Sequence, residues 1–421
     1  MIGGFLTVVC WGCQGQSNNT GHVKTSDRSS QEPIQGNQSF LLHQLNDALS
    51  IAVIQDGHKP PVASRIYAYA NIAAYEAMVE GHPHFKSLES QLNALSGLPD
   101  PQSKKQFDYR VSMIQTFTDV GRELIYRKYI LDSTKAHLLD TLRPHISDAV
   151  YERSIDYGKK LASSIKRWAA TDGYENIQKM PNYTVADSAS AWQPTPPTYG
   201  EACEPHWYKI RLFAMDSIQQ FNPPPPTPFS KEKGSAFYQQ AMEVYNFSKD
   251  VSKGQEEIAW FWNDRPSNNQ VQGHMMSTKR QISPPGHWVN ITHIACKKKD
   301  LSLIRSAEAY AMVGVAFADA IKANWYTKYH YNLIRPVTYI NRYIDSSWTP
   351  LLETPMFPEY TSAHSTMSGA SAVMLSTLID RFLLRCSVGG NDEPGLWRYS
   401  LQESMRDRYE NRFENWQAYH V

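Results

Sequence analysis

The stretch Asn324–Val337, NWYTKYHYNLIRPV, sets six residues between Lys328 and the Arg335–Pro336 pair. It closes a long apolar stripe. In the run LSLIRSAEAYAMVGVAFADAIKANW (301–325), Ile304, Ala307, Ala311, Gly314, Ala318, Ile321 and Trp325 recur at alternating spacings of three and four, with Leu303, Tyr310 and Phe317 beside them. That period belongs to a buried helix face, and its small residues suit close contact with a second helix. A helix ending near Lys328 gives way to a turn before Pro336, and the residue ahead of a proline is pushed out of helical geometry. Arg335 is therefore expected in extended backbone. A lone lysine and arginine at such spacing are ordinarily solvated surface cations, so the pair needs a second observation.

The second stretch is PEYTSAHSTMSG, Pro358–Gly369. Thr361 or Ser362 can cap a helix starting near His364 and running on through STMSGASAVMLSTLI. The first backbone N–H groups of such a helix, at Ala363 and His364, face any anion placed there, with the Ser362 hydroxyl alongside. An imidazole at that point can exchange protons with a bound ligand. Taken alone, this is also what any capped helix with an incidental histidine looks like.

The chain reads as helical from Ser39 on. PPVASRIYAYANIAAYEAM (60–78) opens with two prolines, which the first helical turn tolerates. Helices are also expected near 40–56, 108–131, 147–171, 232–248, 253–263 and 364–384. No alternating polar and apolar run is long enough to argue for a sheet, so the fold class expected is an all-α multi-helix bundle. Proline excludes helix from MPNYTVADSASAWQPTPPTYG and FNPPPPTPFSKEKG, which are expected to wrap the helical core. SPPGHWVNI reads as a turn leading into the last third, where the chemistry concentrates.

The totals exclude some functions. With 421 residues, 42 basic and 41 acidic, the net charge is +1, which offers no electrostatic footprint for nucleic acid or a membrane surface. The five cysteines, at 10, 13, 203, 296 and 386, give no zinc framework, and their odd number argues against a complete disulfide scaffold. The first residues, MIGGFLTVVCWGC, are too short an apolar run to span a bilayer and read as the end of an export signal followed by a polar tether, with Cys13 a candidate for lipid attachment. The expected divisions are 1–38 as signal-like segment and tether, 39–384 as helical domain, and 385–421 as a divergent tail.

Together the two stretches are far more specific than either. Lys-x6-Arg-Pro followed by Pro-x-x-x-Ser-x-His resembles the first two signatures, K-x6-R-P and P-S-G-H, of the superfamily uniting type 2 phosphatidic acid phosphatases and vanadium-dependent haloperoxidases. EIAWFWNDRP (257–266), ISPPGHW (282–288), RSAEAYAMVGVAFADA (305–320) and FPEYTSAHSTMSGASA (357–372) look like its bacterial haloperoxidase branch, and the likeness covers roughly residues 40 to 384. The resemblance implies vanadate as cofactor, in a site that phosphate also suits. Lys328 and Arg335 would neutralise its oxygens, Ser362 and the backbone of Ala363 would donate hydrogen bonds, and His364 would be the catalytic acid–base residue. Hydrogen peroxide and halide, iodide or bromide, would be the substrates, and hypohalous acid the product. Trp325 matches the family's W-x-x-K segment and either lines the anion or simply ends the core stripe. The family's frequent oligomerisation makes a homodimer an expectation, and nothing points to a transmembrane domain or a nucleic-acid partner.

Two departures qualify the resemblance. Ala363 stands where the family carries glycine, and a methyl there hinders close backbone approach to an anion. The third signature, S-R-x5-H, which supplies a further arginine and the histidine bonded to vanadium, is absent. After Leu384 the substitutes are Arg406, Arg408, Arg412 and His420, but Glu414 stands six before His420. Codons for WQAYHV can be chosen so that a shifted frame spells A-G-I-S-R, so a frameshift in the tail is one reading, testable by resequencing the gene. The alternatives to a haloperoxidase are a phosphomonoesterase on the same basic cradle and a catalytically inactive anion-binding homologue. His274, His287, His293 and His330 lack a carboxylate or cysteine cluster at ligand spacing and are read as structural or supporting. Asp264 fixes one of these histidines or the basic pocket, or is a plain turn residue.

Overall fold

Pro60 and Pro61 begin a helix as expected, and its sequence explains why it lies at the centre. In the computed structural model α1 spans Phe40–Asp56 and α2 spans Pro60–Val79, and every residue of α2 from Pro61 to Val79 is buried. A helix buried on every face is one surrounded by other elements, and its polar residues Arg65, Asn71 and Glu76 find hydrogen-bond partners. The structure describes residues 37–101, 105–272 and 275–379, together with the two-residue strands 383–384 and 399–400.

The apolar stripe ending at Trp325 lies in α10, Leu303–Tyr331, packed along α2. Its small residues do the expected work: a Cβ added at Gly314 would stand 3.2 Å from the Ala68 Cα. Around this pair lie α3 (Tyr109–Leu124), α4 (Lys128–Leu142), α5 (Asp148–Ala170), the short α6 (Tyr174–Gln178), α9 (Pro284–Lys298) and α12 (Ala363–Leu378), sharing one hydrophobic core. A smaller apolar cluster joins α7 (Ala236–Phe247) to α11 (Pro336–Tyr343) through Phe237, Ala241, Val337 and Ile340, with Trp348 against them. The helix α8 is Lys253–Phe261.

Two expectations need correction. The single helix expected over 108–131 is two, because the buried Asp56 carboxylate accepts the Tyr126 and Arg127 backbone N–H groups at 2.7 and 3.3 Å and pairs with the Arg127 side chain. Those bonds replace helical ones, and Ile125 is extended. SPPGHWVNI is not a turn but the first half of α9, with both prolines in its opening turn. The all-α class stands, and beside the helices lies one small antiparallel hairpin of Ser267–Gln272 and Met275–Arg280 that periodicity did not announce. The tether, Cys13, the tail, His420 and His274 lie outside the described residues.

Candidate active site

One proline-rich loop clasps the end of α10, and the other holds α11 and the segment before α12. Asn332, in left-handed backbone with φ 48°, terminates that helix. Its carbonyl accepts the Trp192 N–H at 2.9 Å, while the Ser190 carbonyl accepts the Ile334 N–H at 2.8 Å. From the second loop, the Pro224 carbonyl takes the Tyr360 hydroxyl at 2.7 Å, and the Ser230 carbonyl takes that of Tyr339 at 2.7 Å. The turn before α11 is thus pinned, and Arg335 sits in extended backbone at φ −77°, ψ 146°, as proline at 336 requires.

Lys328 and Arg335 are not surface cations. They are 1% and 3% exposed, and both reach the loop 355–359. Lys328 Nζ donates to the carbonyls of Pro358 and Glu359 at 2.8 and 3.0 Å. Arg335 Nε donates to the Phe357 carbonyl at 2.7 Å, Nη2 to that of Pro355 at 3.3 Å, and Nη1 to the Glu359 carboxylate at 2.5 Å. The Phe357 ring lies under both, 4.7 Å from Nζ and 4.9 Å from the guanidinium carbon. Burial, with the Arg335 charge adding to it, holds the Lys328 amine well below the ordinary lysine range.

The same loop runs directly into α12. Ser362 is the N-cap, and its hydroxyl accepts the Ser365 N–H at 3.2 Å. Asn324, one turn before Lys328 on α10, clamps this turn: its amide donates to the Thr361 carbonyl and hydroxyl and to the Thr366 hydroxyl at 3.2, 2.8 and 3.2 Å. The α12 N-terminus is thereby fixed beside the cationic end of α10. Ala363 begins the helix with its methyl against the hydrophobic core.

His364 is the next residue, with its side chain 26% exposed and Nε2 3.9 Å from the Asp264 carboxylate. Asp264 is 6% exposed and also accepts from His287 Nδ1 at 3.0 Å, while the His287 ring stacks on Trp262 at 5.0 Å. Asp264 is therefore a buried carboxylate between two imidazoles. Trp325 is 1% exposed, gives its indole N–H to the Cys203 carbonyl at 3.0 Å and packs against Phe357. Of the remaining histidines, His293 stacks on His43 and His330 on Tyr326.

Motif reasoning missed Asn324, although it lies four residues before Lys328 and so on the same helix face. It also missed Glu359, which stands inside the quoted PEYTSAH stretch.

Comparisons with known proteins bear on the family and the fold. A profile of the VCPO second helical-bundle domain matches residues 308–419, which covers α12 and continues across the segment expected to be a divergent tail. The structure of a bacterial vanadium-dependent iodoperoxidase is 35% identical over 89% of this chain and 89% of its own, with a TM-score of 0.78. A holo-type bacterial vanadium-dependent chloroperoxidase shares the fold at 14% identity, covering 84% of this chain and 87% of its own, TM-score 0.59. An apo-type bacterial vanadium-dependent chloroperoxidase does so at 15% identity, covering 81% and 85%, TM-score 0.55. No curated protein sequence matches the chain.

Proposed function

The chain belongs to the vanadium-dependent haloperoxidases, and on that premise we propose that it oxidises iodide or bromide with hydrogen peroxide, using a vanadate held between the end of α10 and the start of α12. The observation that carries this is the buried Lys328–Arg335 pair, anchored to the loop that delivers Ser362, Ala363 and His364. The donor chemistry fits a tetrahedral oxyanion. Lysine has three N–H donors and arginine five, and the bonds to this loop use two and three of them. The N–H of Ala363, the first residue of α12, stands ahead of the intrahelical ladder.

Vanadate, when bound, supplies the electrophilic centre at which peroxide becomes reactive toward halide. Lys328 and Arg335 neutralise charge on the anion's oxygens, and the fixed cations draw electron density from whatever oxygen they touch. Ser362 and the Ala363 N–H orient the anion at the helix N-terminus. His364 moves protons: one held at Nε2 is stabilised by the Asp264 carboxylate beside it, which equips the ring to deliver a proton to a leaving oxygen. Trp325 contributes by packing Phe357 beneath the two cations. No helix among the described residues is long and apolar enough to cross a membrane, and the proposed partners are small molecules, peroxide and halide, with no nucleic acid. Export and a homodimer are carried in the proposal from the sequence.

The test uses the full chain, stripped of phosphate and reloaded with vanadate, assayed for peroxide-dependent iodide and bromide oxidation and, without vanadate, for phosphate-ester hydrolysis. Vanadate-dependent halide oxidation supports the proposal. Ester turnover alone replaces it with a phosphomonoesterase, and absence of both leaves an inactive anion-binding relative.

A further inference from the structure

Glu359 lies on the loop that holds both cations. Its carbonyl accepts from Lys328 Nζ at 3.0 Å and its carboxylate from Arg335 Nη1 at 2.5 Å. Only Tyr360 and Thr361 separate it from Ser362, the N-cap of α12. The Arg335 side chain is 4% exposed and that of Glu359 is 25% exposed, so the ion pair is mostly screened from water and its Coulomb attraction exceeds that of a surface pair. With Lys328 protonated, this carboxylate leaves the cradle made by Lys328, Arg335 and Glu359 with one positive charge rather than two. An oxyanion approaching Arg335 meets a negative charge already paired with the same guanidinium. The repulsion grows with the charge on the anion, while the exposed quarter of Glu359 gives its carboxylate a route toward water.

We propose that Glu359 sets the charge of the oxyanion cradle, lowering its affinity and selecting singly over doubly charged anions. The inference rests on the assignment of Lys328 and Arg335 as oxyanion ligands. Glu359 restrains the site without belonging to the proton-transfer machinery, and it also keeps Arg335 from being an unpaired buried charge, a costly state for a folded chain.

Calorimetric titration of the full chain with inorganic phosphate tests this. Glu359→Gln keeps an oxygen acceptor for Arg335 and removes the charge, and Glu359→Ala removes both should the first variant fail to fold. Phosphate is expected to bind the neutral variant about tenfold more tightly, roughly 1.4 kcal/mol. The gain is expected to be larger for sulfate, a dianion, than for perrhenate, a monoanion, because repulsion scales with charge. Equal or weaker phosphate binding by the variant overturns the proposal, as does an equal gain for both ions. Arg335→Gln examines the underlying assignment separately: phosphate affinity unchanged from wild type in that variant removes the cradle, whatever Glu359 does.

Discussion

The Asp264 carboxylate stands 3.9 Å from His364 Nε2 and 3.0 Å from His287 Nδ1, buried between the two rings. A carboxylate so placed favours the protonated imidazole and fixes its orientation. Asp264→Asn is expected to lower vanadate-dependent iodide oxidation about 10–100-fold. The alkaline limb of its pH–rate profile, where the ring loses the proton it delivers, should move to lower pH because the imidazolium loses its negative neighbour, whereas a purely structural aspartate would leave that limb in place.

Lys328 is buried beside Arg335, and both effects hold its amine well below the ordinary range. Anion binding supplies the missing negative charge and reverses the depression. Above the free-state value, anion binding should therefore take up a proton, up to one per site. Calorimetry in buffers of different ionisation enthalpy reads this directly. Lys328→Met is expected to abolish the uptake, and an identical uptake in that variant would assign the proton elsewhere.

The α2–α10 contact depends on Gly314, where an added Cβ would approach the Ala68 Cα to 3.2 Å. The close neighbour is backbone and yields only by moving a helix. Gly314→Ala is expected to destabilise the protein by about 1–3 kcal/mol despite the higher helix propensity of alanine. Denaturant unfolding measures it, and a net stabilisation would mean that the helices separate freely.

Two buried groups far from the site pull stability in opposite directions with pH. Burial, then the His293 charge, lowers His43 from 6.5 to about 4. The unfolded chain then binds the proton more readily, so this contribution is fully present above 6.5 and is lost as pH falls toward 4. Burial raises Glu76 from 4.5 to about 7, against the opposing bonds from Ser87 and Leu88. The folded chain holds that proton more readily, so its contribution is present below 4.5 and is lost as pH rises through 7. Each amounts to on the order of 3 kcal/mol at most. Between 4.5 and 6.5 they offset each other. Glu76→Gln should uncover stability that rises with pH across that window, and His43→Asn stability that falls, both by chemical denaturation. Parallel slopes in the two variants would contradict the assignment.

The sequence alone determined the helices whose periodicity is long: the α10 stripe, the proline-led start of α2 and a cap at Thr361 or Ser362 are local patterns, and local patterns are legible. It also brought Lys328, Arg335, Ser362, Ala363 and His364 into one hypothesis, through the spacing of two motifs. What it left open were partnerships across distance. Asp56 dividing the 109–142 segment into two helices, Asn324 clamping Thr361, Asp264 lying between His287 and His364, and Glu359 pairing with Arg335 all depend on which surfaces packing brings together. Periodicity records which side of a helix is apolar. Only the tertiary structure decides which buried charge meets which, because a desolvated cation takes its partner from whatever the fold places within reach.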